Sequence, residues 1–173
     1  MPYSYTKFKD EVRDHIVDNF PSELRILDVG PGSGSYGHML KPHYPNIDAL
    51  EIFPEYIKMF NLRDVYRSVI EGDILTFDGL HDYDYIIMGD VLEHIPTGPA
   101  IDLVTKIHFE LRKFLLIAVP YEYQQGEEFN NIHETHHQPD LTVGLFYQRY
   151  PMMRLIYGDN NYGYFINYIP PKK

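Results

Sequence analysis

Four acidic residues and one glycine run are the parts of this 173-residue chain best suited to chemistry. In Asp28-Val29-Gly30-Pro31-Gly32-Ser33-Gly34, three glycines alternate directly after a short apolar run, Ile26 to Val29. Glycine tolerates positive φ and lets the backbone come close to a bound group. A helix opening behind such a turn favours an anionic group such as a phosphate or carboxylate. Acidic residues recur beyond the next apolar runs: Glu51, then Asp73 in Gly72-Asp73-Ile74, then Asp90 in Gly89-Asp90-Val91-Leu92-Glu93-His94. In open α/β sheets, ligands bind outside the carboxyl ends of the strands, which is where these residues would fall.

The glycine spacing separates two kinds of nucleotide cofactor. A dinucleotide fingerprint needs Gly-x-Gly-x-x-Gly. Here the third glycine comes one residue early and Ser35 takes its place. A carboxylate at Asp28 would repel a pyrophosphate and attract an ammonium group. The loop therefore suits a zwitterionic, cationic adenosine cofactor better than a nicotinamide dinucleotide. Glu51 stands where a ribose-binding carboxylate is expected, and Asp73 is placed to accept from an adenine amino group.

The elements that must position these residues follow from periodicity. Apolar residues at Tyr5, Phe8, Val12, Ile16 and Phe20 predict an amphipathic helix over 3–20, ended by Pro21. Strands are predicted at 25–29, 47–52, within 64–70, at 83–88 and at 114–119. Helices are predicted at 36–41, from Pro54 as a first helical residue, and over 99–111. Alternating strands and helices with solidly apolar strands imply a parallel sheet covered on both faces. Runs 152–157 and 162–168, joined by Gly158-Asp159-Asn160-Asn161, read as an antiparallel hairpin.

Asp28-x-Gly30-x-Gly32-x-Gly34 resembles the first motif of class I S-adenosylmethionine-dependent methyltransferases. Glu51, Gly72-Asp73 and Asp90-Val91-Leu92-Glu93-His94-Ile95-Pro96 are similar to that family's later motifs, in order, and the resemblance covers about residues 24 to 120. It implies a single Rossmann-like α/β domain over 1–173, with residues 1–22 as an N-terminal helical segment. It also implies a seven-stranded, mostly parallel sheet of order 3-2-1-4-5-7-6. The cofactor implied is S-adenosyl-L-methionine (SAM), with S-adenosyl-L-homocysteine (SAH) as product. The carried-over cofactor residues are Asp28, Gly30, Pro31, Gly32 and Gly34 at the methionine portion, Glu51 and Ile52 at the ribose, Asp73 and Ile74 around the adenine, and Gly89 and Asp90 on the methionine side.

Methyl transfer is an in-line displacement, so the protein must align the acceptor and, for a hydroxyl, help remove its proton. His94 and His133, the latter in His133-Glu134-Thr135-His136-His137, are the expected catalytic imidazoles. No metal is expected; the alternative is a metal-assisted O-methyltransferase with Asp90, Glu93, His94 and His137 as oxygen and imidazole ligands. A second alternative is a non-catalytic SAM-binding module that acts through a partner.

Composition narrows the acceptor. With 25 acidic and 15 basic residues, the formal charge is −10, which disfavours a broad nucleic-acid-binding face. A small or exposed acceptor, such as a sugar hydroxyl or metabolite, fits better. The chain has no cysteine, which excludes disulfide scaffolds, Cys-type zinc sites and thiol nucleophiles. No apolar run approaches the ~20 residues that span a bilayer, and Met1 to Asp10 has no signal-peptide pattern. The expected location is therefore cytoplasmic, with no membrane partner.

Overall fold

In the computed structural model, residues 5–167 are described. Helix α1 spans Lys9–Asn19 and buries Val12 and Ile16. Strand β1 follows at Ile26–Val29, then α2 at Ser35–Leu40, β2 at Ile47–Glu51 and α3 at Pro54–Met59. Helix α4 is Leu62–Val65, β3 is Ser68–Glu71 and β4 is Tyr85–Gly89. Helix α5, Thr97–Thr105, continues as a π-helical turn over Lys106–Leu111 before β5 at Phe114–Pro120. Helix α6, Val143–Arg149, precedes the terminal strands β6, Met153–Gly158, and β7, Tyr162–Asn167.

The seven strands form one sheet of order β3-β2-β1-β4-β5-β7-β6. The first five run parallel, and β7 pairs antiparallel with both β5 and β6. Fold class and strand order thus agree with those expected. β1, β2 and β4 are buried along their whole length, as expected of strands covered on both faces. Their side chains alternate between two cores. Leu27, Val29, Ile86 and Met88 face α5 and α6, whereas Ile26, Tyr85 and Ile87 face α1 and α2.

The predicted helix over 3–20 begins only at Lys9. Phe8 takes a left-handed conformation (φ 66°), so Tyr5 leaves the helix and stacks on Tyr162 (4.6 Å between ring centres). Residue 3 and the last residue of the predicted run 162–168 lie outside the described residues. The strand predicted within 64–70 is β3, and residues 64 and 65 belong to α4. Helix α6 was not predicted. Thr142 caps it by accepting from the Leu145 amide (3.1 Å), and Phe146 buries against Phe165 (3.7 Å between ring centres).

Candidate active site

The carboxyl ends of β1, β2 and β4 open onto a cavity of about 330 Å³, within the range of small-ligand sites. Its floor is the glycine turn, where Gly30, Gly32 and Gly34 all have positive φ. A Cβ on Gly30 would fall 2.7 Å from Val91 Cγ2, so only a bare backbone fits beside the wall. Glu51 and Ile52 line one side, Asp73 and Ile74 another, and Gly89 and Asp90 a third. Residues 131–134 and 137 close the top.

Of the cofactor residues carried over from the motifs, Gly30, Pro31, Gly32, Glu51, Ile52, Asp73, Ile74, Gly89 and Asp90 line this cavity; Asp28 and Gly34 do not. Asp28 sits behind the glycine turn. There it accepts from the Tyr66 hydroxyl (2.5 Å), on the sheet face packed by α1. Burial pushes its carboxyl up to about 7, partly offset by the Tyr66 bond and the Lys9 ammonium. Tyr66 also accepts from the Gly37 amide (3.1 Å), so Asp28 braces the turn and α2 from beneath. Lys9 reaches the same region from α1 and lies over the Tyr36 ring (3.5 Å). Burial draws its ammonium down to about 8 against the pull of Asp90 and Asp28.

Glu51 is buried with a carboxylate oxygen accepting from the Phe53 amide (2.8 Å). Burial raises it to about 7, while the amides of Phe53 and Gly32 pull the other way. Asp73 accepts from the Leu75 amide (2.9 Å), which fixes the turn after β3. Asp90 holds a left-handed conformation (φ 57°), a strained choice that marks functional sites, and accepts from the Tyr162 hydroxyl (2.6 Å).

A second cavity, of about 630 Å³, adjoins the first; Asp90 and His94 line both. Tyr5, Tyr121, Tyr123 and Tyr162 supply its aromatic walls, and Glu93, Gln125 and His136 its polar groups. Among the described residues that line it, none is lysine or arginine.

The loop over 122–138 is tied across both cavities by buried amides. Gln125 Nε2 donates to Glu134 Oε2 (3.0 Å), and Glu134 Oε1 accepts from Tyr56 (2.9 Å). Gln138 Nε2 donates to the carbonyls of Leu92 and Ile95 (both 2.9 Å). These bonds press the histidine-rich stretch onto the turn after β4. They bring His136, rather than His137, to His94 (4.7 Å between ring centres). His137 is exposed and lines only the first cavity, as does His133. The four-residue metal set of Asp90, Glu93, His94 and His137 is therefore not assembled; the grouped residues are Glu93, His94 and His136.

His94 is the only expected catalytic imidazole that lines both cavities. Burial, reinforced by His136, lowers it to about 4. That basicity suits an imidazole that stays neutral at pH 7 better than one that must take up a proton there. Sequence reasoning missed Tyr56 and Tyr162, whose contacts with Glu134 and Asp90 lie 78 and 72 positions away in the chain.

The strand order, the glycine turn and the acidic strand ends around one cavity define a Rossmann-like domain of the class I methyltransferase type. The family model for a methyltransferase domain matches residues 4–142, and the chain belongs to that family. The cofactor that membership implies is SAM, with SAH as product. The ubiquinone biosynthesis O-methyltransferase of Xylella fastidiosa (strain 9a5c) is 29% identical over 131 residues, covering 64% of this chain and 53% of that protein. The chain thus spans about half the length of this curated relative.

Among solved structures, magnesium protoporphyrin IX methyltransferase from Synechocystis PCC 6803 with bound SAH aligns with a TM-score of 0.63. It is 14% identical, over 92% of this chain and 81% of that one. The PH0226 protein from Pyrococcus horikoshii OT3 aligns with a TM-score of 0.67 at 11% identity, over 93% of this chain and 87% of that one. At these identities the likeness is one of fold. Among the described residues, no helix is long and apolar enough to cross a membrane.

Proposed function

We propose that this chain is an active SAM-dependent methyltransferase whose acceptor is a small, neutral or cationic molecule held in the second cavity. The observation that carries this reading is the shared wall: Asp90 and His94 line both cavities. A donor in one and an acceptor in the other would meet there.

The first cavity fits the cofactor in chemistry. Its bare glycine backbone admits the methionine portion, Glu51 would hold the ribose hydroxyls, and Asp73 with Ile74 would frame the adenine. When bound, SAM supplies an activated methyl group on a sulfonium. The protein's own part is alignment. Asp90 is fixed by Tyr162, and His94 by the Thr135 carbonyl. Tyr121 and Tyr123 offer ring faces to an acceptor.

Acceptor charge follows from the lining. Asp90, Glu93 and Glu122 line the second cavity, with no lysine or arginine among its described lining residues. Among the described side chains of this lining, a phosphate or carboxylate would meet carboxylates and no lysine or arginine, which favours a hydroxyl, phenol or amine. Neutral sugars, aromatic alcohols and amino compounds therefore rank above nucleic acid as acceptors.

Transfer of labelled methyl from SAM to a panel of neutral, cationic and anionic small molecules tests this reading, alongside calorimetric titration with SAM and with NAD. Micromolar SAM binding, no NAD binding, and label transfer confined to neutral or cationic acceptors are expected. Label transfer only to phosphorylated or carboxylated acceptors would overturn the acceptor class. SAM binding without transfer to any acceptor would favour a non-catalytic module.

A further inference from the structure

Three groups converge on the second cavity, and one of them holds a buried oxygen with no hydrogen-bond partner among the described residues. Glu93, His94 and His136 each offer one ligand atom, and these atoms all lie within 4.8 Å of one another. Each histidine has its Nδ1 against a backbone carbonyl, His94 against Thr135 (3.3 Å) and His136 against Tyr123 (2.8 Å). A carbonyl only accepts, so both Nδ1 atoms carry the hydrogen and both Nε2 atoms keep a lone pair. Such carbonyl-anchored imidazoles are the usual state of metal-ligating histidines. Glu93 is 1% exposed, and its Oε2 is buried without a hydrogen-bond partner. A buried acceptor left in this way costs free energy unless a ligand meets it.

We propose that Glu93, His94 and His136 bind one divalent first-row transition-metal ion on the wall of the second cavity. Two imidazoles and one carboxylate on one side of an ion leave its remaining positions open, the arrangement of two-histidine, one-carboxylate centres. Ligands about 2.1 Å from an ion lie at most about 4.2 Å apart, so ångström-scale closure of the three side chains suffices. The open positions face the space lined by Tyr5, Tyr121, Tyr123 and Tyr162. A hydroxyl or amine acceptor would reach the ion there. The three lining carboxylates outnumber the two charges of the ion, so the occupied cavity would still disfavour an anionic acceptor. Asp90 is not among the three grouped residues; its Oδ1 accepts from Tyr162.

The assignment of an acceptor to this ion rests on the proposed function; the metal site itself does not. The test is titration of the chelator-stripped full chain with Co²⁺, read by visible absorption and by metal content after dialysis. SAM affinity is measured on the same samples. One Co²⁺ per chain is expected, with ligand-field bands. Glu93→Gln and His136→Ala should each weaken Co²⁺ binding at least about tenfold, while His137→Ala leaves it intact. SAM affinity within about threefold of wild type in Glu93→Gln and His136→Ala shows that the fold is retained. Absence of saturable Co²⁺ binding would overturn the site and leave the SAM reading standing. So would loss of binding in His137→Ala but not in His136→Ala. Co²⁺ binding in a chain that fails to bind SAM would uphold the site and overturn the proposed function.

Discussion

The two cavities share a wall but are built in opposite ways. The first rests on the ends of paired parallel strands and the tight turns that follow them. Its key residues fall within a few positions of β1, β2, β3 and β4. The second is assembled from the stretch before α1, the turn after β4, the loop beyond β5 and the turn between β6 and β7. On the proposed function, the cofactor would be held by the sheet, and the acceptor by contacts between chain segments that meet only in the finished fold. A substitution in the first should change cofactor affinity; one in the second should change turnover at nearly constant cofactor affinity.

The largest loss of cofactor affinity is expected at the glycine turn. Gly32 has φ 51°, and valine there carries a backbone penalty of roughly 1–2 kcal/mol, a loss of about 5- to 30-fold in SAM affinity by calorimetry. The second cavity should be spared, so Co²⁺ binding in Gly32→Val should match wild type. If both fall together, the two cavities are one cooperative unit and the contrast fails.

Tyr162→Phe probes the other side. It removes the hydroxyl bond to Asp90, a hydrogen bond to a charged group worth about 1.5–3 kcal/mol. Turnover should fall about tenfold or more, with SAM affinity within about threefold. An equal drop in affinity would place Tyr162 in the cofactor site instead.

Glu51 gives the first cavity a pH signature. Burial holds its carboxyl at about 7, above the ordinary carboxylate range. It is therefore largely protonated below that pH and a weaker acceptor for ribose hydroxyls. SAM affinity should weaken about tenfold from pH 8 to pH 6, and Glu51→Gln should remove the dependence.

The smallest effect is expected for Asp28→Asn. From the sequence alone this residue faces the ligand, and its loss would abolish binding; from its position behind the turn, SAM affinity should change less than about threefold. Its trace should appear in stability. The folded carboxyl lies at about 7, above its unfolded value. Its stabilising contribution is thus complete below the ordinary value of 3.8 and is lost as pH rises from there to about 7. Thermal melts of Asp28→Asn between about pH 4 and pH 7 should lack that decline.

What could be read in the sequence divides along the same line. Strand order and the lining roles of Glu51, Asp73 and Asp90 were legible because glycine turns and acidic strand ends are local signals. His136 was not distinguishable from His137. Their inward and outward directions are set by backbone bonds of His136 to Gln125 (3.0 Å) and of His137 to Glu93 (2.8 Å). No periodicity in the stretch 133–137 encodes those bonds. Asp28 misled because a residue just before a glycine turn has two faces to choose from, and the pleat of β1 turned it toward Tyr66. Helix α6 was legible in principle. Leu141, Leu145 and Phe146 follow helical spacing behind a Thr142 cap, but the hairpin signals after it drew the reading.

One tether gives the second cavity a place in time. Tyr5 and Lys7 bind Asp159 (3.0 and 2.8 Å), the first of them across 154 positions of sequence. The strands β1 to β5 pair through shorter loops, whereas this contact closes a span of 154 positions, an entropic cost that grows with loop length. The wall of the second cavity made by Tyr5 and Tyr162 is therefore expected to close later in folding than the strand ends that line the first.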